Sequence, residues 1–323
     1  MGYSIFVTAP RLAPAGAQLL QDAGCSVSYL QDANDSAEVA RVMARQPIDA
    51  VISRTVDLSA EAIRACTTLK VISKHGVGVS NIAVDAATAR GIPVYVTPSA
   101  NATAVAEMSI GLMFAAARRI AWMDRELRAG RWSRAQDGME LSGRTLGLLG
   151  FGQIGQRVAV VAQALGMAVV AHDPALRGRP SPVAGVRMAD SLDELLGVSQ
   201  VLSLHVPLTR ATRGLIGAAQ LAALPAGAVL INTARGEVVD EPALIDALAS
   251  GRLFAAGLDT MAVEPLPADS PLRQLPTVVL TPHAGGSTPA ALDAMAAGAA
   301  RNVLGHLQGR PVDAAACVNP QVL

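Results

Sequence analysis

Short aliphatic runs alternate with amphipathic stretches along most of the chain. In the first hundred residues the runs predict strands at Ile5–Thr8, Ser26–Leu30, Asp49–Ser53, Lys70–Lys74 and Pro93–Val96. The stretches between them have helical spacing and readable ends. Pro14 sits near the start of one and Gly24 stops it, the expected order of the two residues. Ser59 can cap the next helix. Asn81 can cap another, which Gly91 ends. Strands alternating with helices imply βαβ units and a parallel sheet.

The pattern changes near Pro98. Residues 101–120 read as one long apolar helix, rich in Ala and Met. A polar, Arg-rich segment follows, Arg118–Arg134, with Trp122 and Trp132. It reads either as an exposed arm for self-association or as a solvated helix face. Alternation resumes with strands at Thr145–Leu149, Ala168–His172, Gln200–Leu204, Ala228–Asn232, Ala255–Leu258 and Val278–Thr281. Ser191-Leu192-Asp193-Glu194 has the form of a capping box. Asp240-Glu241-Pro242 opens another helix, with proline tolerated in the first turn. A last helix runs from after Thr288 to about Leu307. The two alternating regions meet at 98–101 and again near 285–289. The expected organisation is one domain of residues 1–98 and 287–323 and a second, 99–286, inserted into it.

Composition narrows the class. The 323 residues carry no net charge, which gives no electrostatic footprint for nucleic acid or an anionic membrane. Apolar residues make up 51% and aromatics only 3%, an aliphatic interior suited to strands covered on both faces. Cys25, Cys66 and Cys317 are far apart, without metal-like spacing, and read as reduced thiols. No metal site is expected. The opening MGYSIFVTAP has neither the charge nor the apolar core of a signal peptide. The most apolar stretches, Ala104–Ala117 and Val158–Ala171, are interrupted by Glu107 and Gln163 and fall short of the ~20 residues of a membrane helix. A soluble, cytoplasmic protein is the expectation.

The sharpest motif is Gly150-Phe151-Gly152-Gln153-Ile154-Gly155, a Gly-x-Gly-x-x-Gly between a buried strand and a helix. Gly150 makes the tight turn, Gly152 admits a pyrophosphate close to the backbone, and Gly155 lets helix and strand pack. The N–H groups of Gln153 and Ile154 face the diphosphate. Asp173 ends the next strand, 18 residues after Gly155, where an acidic residue bonds ribose hydroxyls. A carboxylate there repels a 2′-phosphate and favours NAD over NADP. Arg177 and Arg179 nearby weaken that preference.

Three chemically useful residues follow strands in the second half: Arg235 in Asn232-Thr233-Ala234-Arg235-Gly236, Glu264 after Asp259, and His283 in Thr281-Pro282-His283. Ligands of open α/β sheets bind outside the carboxyl ends of strands, so these three can converge on the nicotinamide end of a cofactor. With these motifs in order, together with His205-Val206-Pro207-Leu208-Thr209 and Lys74-His75-Gly76-Val77-Gly78-Val79, the chain resembles the D-isomer-specific 2-hydroxyacid dehydrogenase family over about residues 49–310. That family includes phosphoglycerate dehydrogenase and hydroxypyruvate and glyoxylate reductases.

The resemblance implies an α/β fold of two Rossmann-like, doubly wound domains: a flavodoxin-like substrate domain and an inserted NAD-binding one. It implies a homodimer built on residues 101–140. It assigns His283 as general acid/base, Glu264 as the partner of its other ring nitrogen, and Arg235 to the substrate carboxylate. Backbone N–H groups of Gly76 and Val77 complete the carboxylate site, with Ser53, Lys74 and His75 beside it. Arg54 and Lys74 either hold a phosphate or second carboxylate or are exposed charges. The cofactor set extends to Thr103, Val206, Pro207, Thr212, Thr233, Ala234, Asp259 and Gly285. His172 replaces an aromatic often present before the acidic residue, and Ser80 and Ala83 replace two frequent acids after the substrate loop.

The implied substrate is a small 2-keto acid or D-2-hydroxy acid. The chain stops at Leu323 without the regulatory extension many phosphoglycerate dehydrogenases carry, so glyoxylate and hydroxypyruvate stand beside 3-phosphoglycerate-type substrates. Two alternatives remain. One is a non-catalytic NAD(H)-binding sensor or scaffold, which need not keep Arg235, Glu264 and His283 together. The other is a formate dehydrogenase-like enzyme, which moves no proton and does not need the Glu264–His283 pair.

Overall fold

The computed structural model describes residues 2–32, 35–134 and 137–323, and the chain divides into two compact units. The first is Met1–Asn101 with Ser287–Leu323, and the second is Ala102–Gly286.

In the first unit the chain runs β1 (Ser4–Val7), α1 (Pro14–Asp22), β2 (Ser26–Tyr29), α2 (Ser36–Arg45), β3 (Ala50–Ser53), α3 (Ala60–Ala65), β4 (Val71–Lys74), α4 (Val84–Ala89) and β5 (Val94–Tyr95). The strands form one parallel sheet in the order β2-β1-β3-β4-β5. This is the doubly wound order typical of flavodoxin-like sheets. β3 is buried along its whole length, as a strand covered on both faces must be. Ser59 caps α3 by accepting the Ala62 N–H at 3.1 Å. Asn81 does not cap α4. That helix starts at Val84 behind Ala83 with no side-chain cap, because the Asn81 amide is engaged by the neighbouring loop.

The second unit runs α5 (Ala102–Ala117), α6 (Ile120–Arg128), β6 (Thr145–Leu149), α7 (Gln153–Ala164), β7 (Ala168–His172), β8 (Arg187–Met188), α8 (Leu192–Val198), β9 (Val201–Leu204), α9 (Ala218–Ala223), β10 (Ala228–Asn232), α10 (Glu241–Ala249), β11 (Leu253–Leu258) and β12 (Val278–Leu280). Its seven strands are parallel, in the order β12-β11-β10-β9-β6-β7-β8. Counted from β6, this is the Rossmann order with one added strand, and its direction reverses between β6 and β9. One apolar layer, including Leu202, Leu204, Leu230 and Leu258, covers one face. Another, including Leu146, Val158, Ala159 and Ile231, covers the other. β8 is too short to leave a pattern in sequence. The Arg-rich segment contains an amphipathic helix, α6, with no buried residue. The long helix α11 (Pro289–Leu307) returns to the first unit, where Gly16 of α1 packs so closely that a Cβ would lie 2.6 Å from the Ala296 backbone.

Each unit contains a histidine held neutral. His75, after β4, is buried; its pKa is about 4, lowered by burial and then by the Arg54 charge. Burial likewise brings His205, after β9, to about 4. An unfolded imidazole takes a proton below about pH 6.5. Between about pH 6.5 and 4 the unfolded chain therefore binds more protons, and stability falls with acidification. The expected slope is about 1.4 kcal/mol per pH unit for each histidine. Denaturant unfolding from pH 7 to 5 should flatten by that amount in His205→Gln; an unchanged slope would show that the ring is not neutral in the fold.

Candidate active site

The carboxyl ends of β6, β7, β9, β10, β11 and β12 carry the residues singled out in the second unit. β6 delivers the chain to Gly150, where φ is +91° and a Cβ would lie 2.6 Å from the His205 carbonyl oxygen. Only glycine turns freely there. At Gly155, in the first turn of α7, a Cβ would come within 2.5 Å of the Gly150 carbonyl oxygen. Gly152, between these crowded points, would meet nothing within 4 Å. The first helical amide to find an acceptor is Gln156, bonded to the Gly152 carbonyl at 3.0 Å. The amides of Gln153 and Ile154 are therefore available to an anion at the positive end of the helix. Asp173 sits beside the same loop: Oδ2 accepts the Phe151 N–H and Oδ1 the Ala175 N–H, both at 2.9 Å. Each carboxylate oxygen keeps a further lone pair. An open amide cradle with a fixed carboxylate beside it fits a dinucleotide.

The remaining expected cofactor residues are ordered by local bonds. The half-buried Thr212 closes the loop after β9, donating to the Pro207 carbonyl at 2.6 Å and accepting the Thr209 N–H at 2.8 Å. Val206 packs beside Gly150, whose Cβ would meet its Cγ1 at 3.0 Å. Thr233 is buried, its hydroxyl 2.7 Å from Ser109 Oγ, which donates to the Val105 carbonyl at 2.8 Å. That chain ties α5 to the end of β10. The Ala234 N–H donates to Asn232 Oδ1 at 3.0 Å, and Thr103 is exposed in the first turn of α5.

After β10, Asn232 shapes the turn that presents Arg235. Its Oδ1 accepts from Ala234 and its Nδ2 donates to the Arg235 carbonyl at 2.9 Å. The guanidinium is half-buried; burial lowers its pKa, and the Glu264 and Glu237 charges offset this. After β12, His283 adopts φ +52°, a left-handed conformation unusual for a non-glycine residue. Asp259 enforces it. The Asp259 carbonyl accepts the His283 N–H at 2.8 Å. Its buried carboxylate accepts the Thr281 hydroxyl at 2.6 Å and the N–H groups of Ala284 and Gly285, both at 2.8 Å.

His283 Nδ1 lies 2.7 Å from Glu264 Oε2, and Glu264 Oε1 accepts the Met261 N–H at 3.0 Å. Burial works to raise the Glu264 carboxyl. The bonds from His283 and Met261, with the His283 and Arg235 charges, outweigh it and hold the group below its usual range. An ionised Glu264 therefore accepts the Nδ1–H, and Nε2 is the ring atom left for chemistry.

Within the first unit, the expected substrate loop follows β4. The Gly76 N–H is not available to a ligand: it donates to the Thr97 hydroxyl at 3.0 Å. This corrects the expected carboxylate donor, because the available amides begin one residue later. Among the described residues the amides of Val77, Gly78 and Val79 have no acceptor. Ser53 is fully buried, its hydroxyl accepting the Asn81 amide at 3.2 Å. Lys74 is buried and donates to the Arg54 carbonyl and, at 2.5 Å, to Asn81 Oδ1, so it braces the loop. The Arg54 guanidinium is half-buried and makes no hydrogen bond or ion pair among the described residues; burial and then the Arg11 charge lower its pKa. Sequence reading missed Thr97 and the bracing role of Asn81. It quoted Gly78, Val79, Asn232 and Thr281 within motifs without giving any of them a task.

The model of the D-isomer specific 2-hydroxyacid dehydrogenase NAD binding domain matches residues 110–285. The hydroxypyruvate reductase of Thermotoga maritima is 45% identical over 242 residues, covering 74% of this chain and 78% of that protein. The D-3-phosphoglycerate dehydrogenase of Archaeoglobus fulgidus is 38% identical over 296 residues, covering 89% of this chain but 56% of that protein. The chain thus spans about half the length of the phosphoglycerate dehydrogenases it matches. A crystal structure of a protein from Thermus thermophilus superposes with a TM-score of 0.87 at 37% identity, covering 98% of this chain and 99% of that one.

Proposed function

The chain belongs to the D-isomer-specific 2-hydroxyacid dehydrogenase family, and from that premise we propose that it is an NAD(H)-dependent oxidoreductase acting on a small 2-keto acid or D-2-hydroxy acid. The observation that carries the reading is the 2.7 Å contact between His283 Nδ1 and Glu264. When bound, the cofactor supplies or takes the hydride at the substrate's C2. Gln153 and Ile154 would hold its diphosphate and Asp173 its ribose. His283 gives a proton from Nε2 to the substrate oxygen in reduction, and takes it back in oxidation. Glu264 keeps the ring oriented through that contact. Arg235 offers a guanidinium fork to a carboxylate. A sensor would have no use for this pair, and formate oxidation moves no proton for it to carry.

In the first unit, the three amides of Val77–Val79 suit an anionic group. The half-buried Arg54 supports a second anion on the substrate, since an unpaired guanidinium is costly to desolvate.

NADH consumption should be measured with glyoxylate, hydroxypyruvate, phosphohydroxypyruvate, pyruvate and sulfopyruvate. Doubly anionic acids should rank first, and Arg54→Met should erase that ranking. His283→Ala should lower turnover by about 100-fold or more while NADH still binds. Wild-type turnover in that variant would sink the assignment, and NADH binding without turnover of any acid would favour the sensor.

We also propose that NAD is preferred to NADP, on the strength of the fixed Asp173 carboxylate. Asp173→Ala should weaken NADH more than NADPH; equal losses would mean that the carboxylate does not read the ribose. Self-association through α6 and the residues around it is supported by exposed Ile120, Leu127 and Trp132. Residues 135 and 136 of the expected 101–140 interface lie outside the described residues. Sedimentation should give a dimer that Trp132→Glu weakens, and a monomer in the wild type would count against it.

A further inference from the structure

The amides of Val77, Gly78 and Val79 can act together only if the loop that carries them keeps one conformation. The loop is fastened at both ends. At its far end, Asn81 donates to the Arg54 and Val56 carbonyls at 3.1 and 2.7 Å and accepts from Lys74. At its near end the His75 N–H donates to the Ser53 carbonyl at 2.9 Å, and Gly76 is fastened by Thr97, just beyond β5. Thr97 is buried, and it grips both sides of Gly76: its hydroxyl accepts the Gly76 N–H at 3.0 Å, and its own N–H donates to the Gly76 carbonyl at 2.8 Å. The same hydroxyl lies 3.2 Å from that carbonyl and can donate to it.

Gly76 has φ +130°, a conformation that side-chain-bearing residues rarely adopt. A glycine there is free to leave it, so something else must hold it. Thr97 is itself held from the other side, because its methyl group faces Gly298 of α11, where a Cβ would come within 2.9 Å of Thr97 Cγ2. There is no room behind Thr97 for it to retreat.

We propose that Thr97 is a positioning residue, which fixes Gly76 so that the Val77–Val79 amides converge on the substrate's anionic group. The functional half of this inference rests on the reading of those amides as an anion site; the clamp itself does not. Thr97→Val keeps the branched shape and removes the hydroxyl, leaving the Gly76 N–H without its acceptor. Thr97→Ser keeps the hydroxyl and drops the methyl.

Hydrogen exchange read at the Gly76 amide tests the clamp. Exchange should be about 10-fold faster in Thr97→Val and near wild type in Thr97→Ser. Kinetics with hydroxypyruvate and NADH test its consequence. In Thr97→Val the KM for hydroxypyruvate should rise about 10-fold, with kcat and the KM for NADH little changed, and Thr97→Ser should restore it. Gly298→Ala, which presses on Thr97 from behind, should move both readings in the same direction and serves if Thr97→Val does not fold. Unchanged exchange at Gly76 overturns the clamp. Faster exchange with an unchanged KM overturns the positioning role. A wild type silent with hydroxypyruvate and with the other acids of the panel counts against the proposed reaction, and exchange alone then decides the clamp.

Discussion

The geometry of the candidate site in the second unit depends on one buried carboxylate. Asp259 is 1% exposed, and a carboxylate at such a depth is stable only if its lone pairs are met. Three donors meet them, all from the loop after β12: the Thr281 hydroxyl and the Ala284 and Gly285 amides. The dependence runs in both directions. The loop stabilises the carboxylate, and the carboxylate forbids the loop any other path. His283, in the middle, is forced into a left-handed conformation that costs roughly 1–3 kcal/mol. Leaving a buried polar group without its hydrogen bond costs about 1–3 kcal/mol, and three such bonds hold this loop, so the strained conformation is the lower-energy outcome.

That constraint explains why His283 and Glu264 can meet although they lie on different loops. β11 and β12 are parallel neighbours, so their carboxyl ends open side by side. Asp259 and Glu264 come from the loop after β11, and His283 from the loop after β12. Asp259 fixes the histidine's backbone and Glu264 its ring. Parallel topology supplies the adjacency, and two carboxylates with different partners divide the work. The glycine loop uses the same topology at the sheet's switch point, where β6 and β9 diverge. There the His205 carbonyl closes over Gly150, which is why a strand-end residue far along the chain belongs to the phosphate cradle.

The legible parts of this protein were those that leave a mark at one position. Gly150 and Gly155 are readable because each answers a steric demand that no other residue meets, and Gly152 because the motif sets it between them. Ser59, Ser191 and Asp240 are readable because a cap acts on an amide three residues away. Parallel sheets followed from the alternation of strands and helices, and their doubly wound form was what the family resemblance implied. What could not be read was pairing over distance. Gly76 looked like an amide donor until its N–H was found on Thr97, 21 residues on. Asn81 has the right residue type and position for a cap, yet its amide groups are drawn to Ser53, Arg54, Val56 and Lys74. Both errors share a cause: a local rule competes with a tertiary acceptor that only the fold brings near. The helix inside the Arg-rich segment was half-legible, since its apolar residues repeat with helical spacing but face no core.

The distribution of protons follows the same division. The chain as a whole is electrically neutral, which conceals how unevenly its ionisable groups are treated. His75 and His205 are kept neutral by burial, and their charge states do not change across the range in which an enzyme of this kind would work. Glu264 is kept ionised against its own desolvation by the histidine and amide it binds. With those groups locked, the His283 ring has Nδ1 on Glu264 and leaves Nε2 without a partner among the described residues. A pair with Nδ1 committed and Nε2 open is directional, because the ring presents one nitrogen to whatever binds beside it. The neutral balance of the sequence is thus compatible with a site whose charge is tightly apportioned.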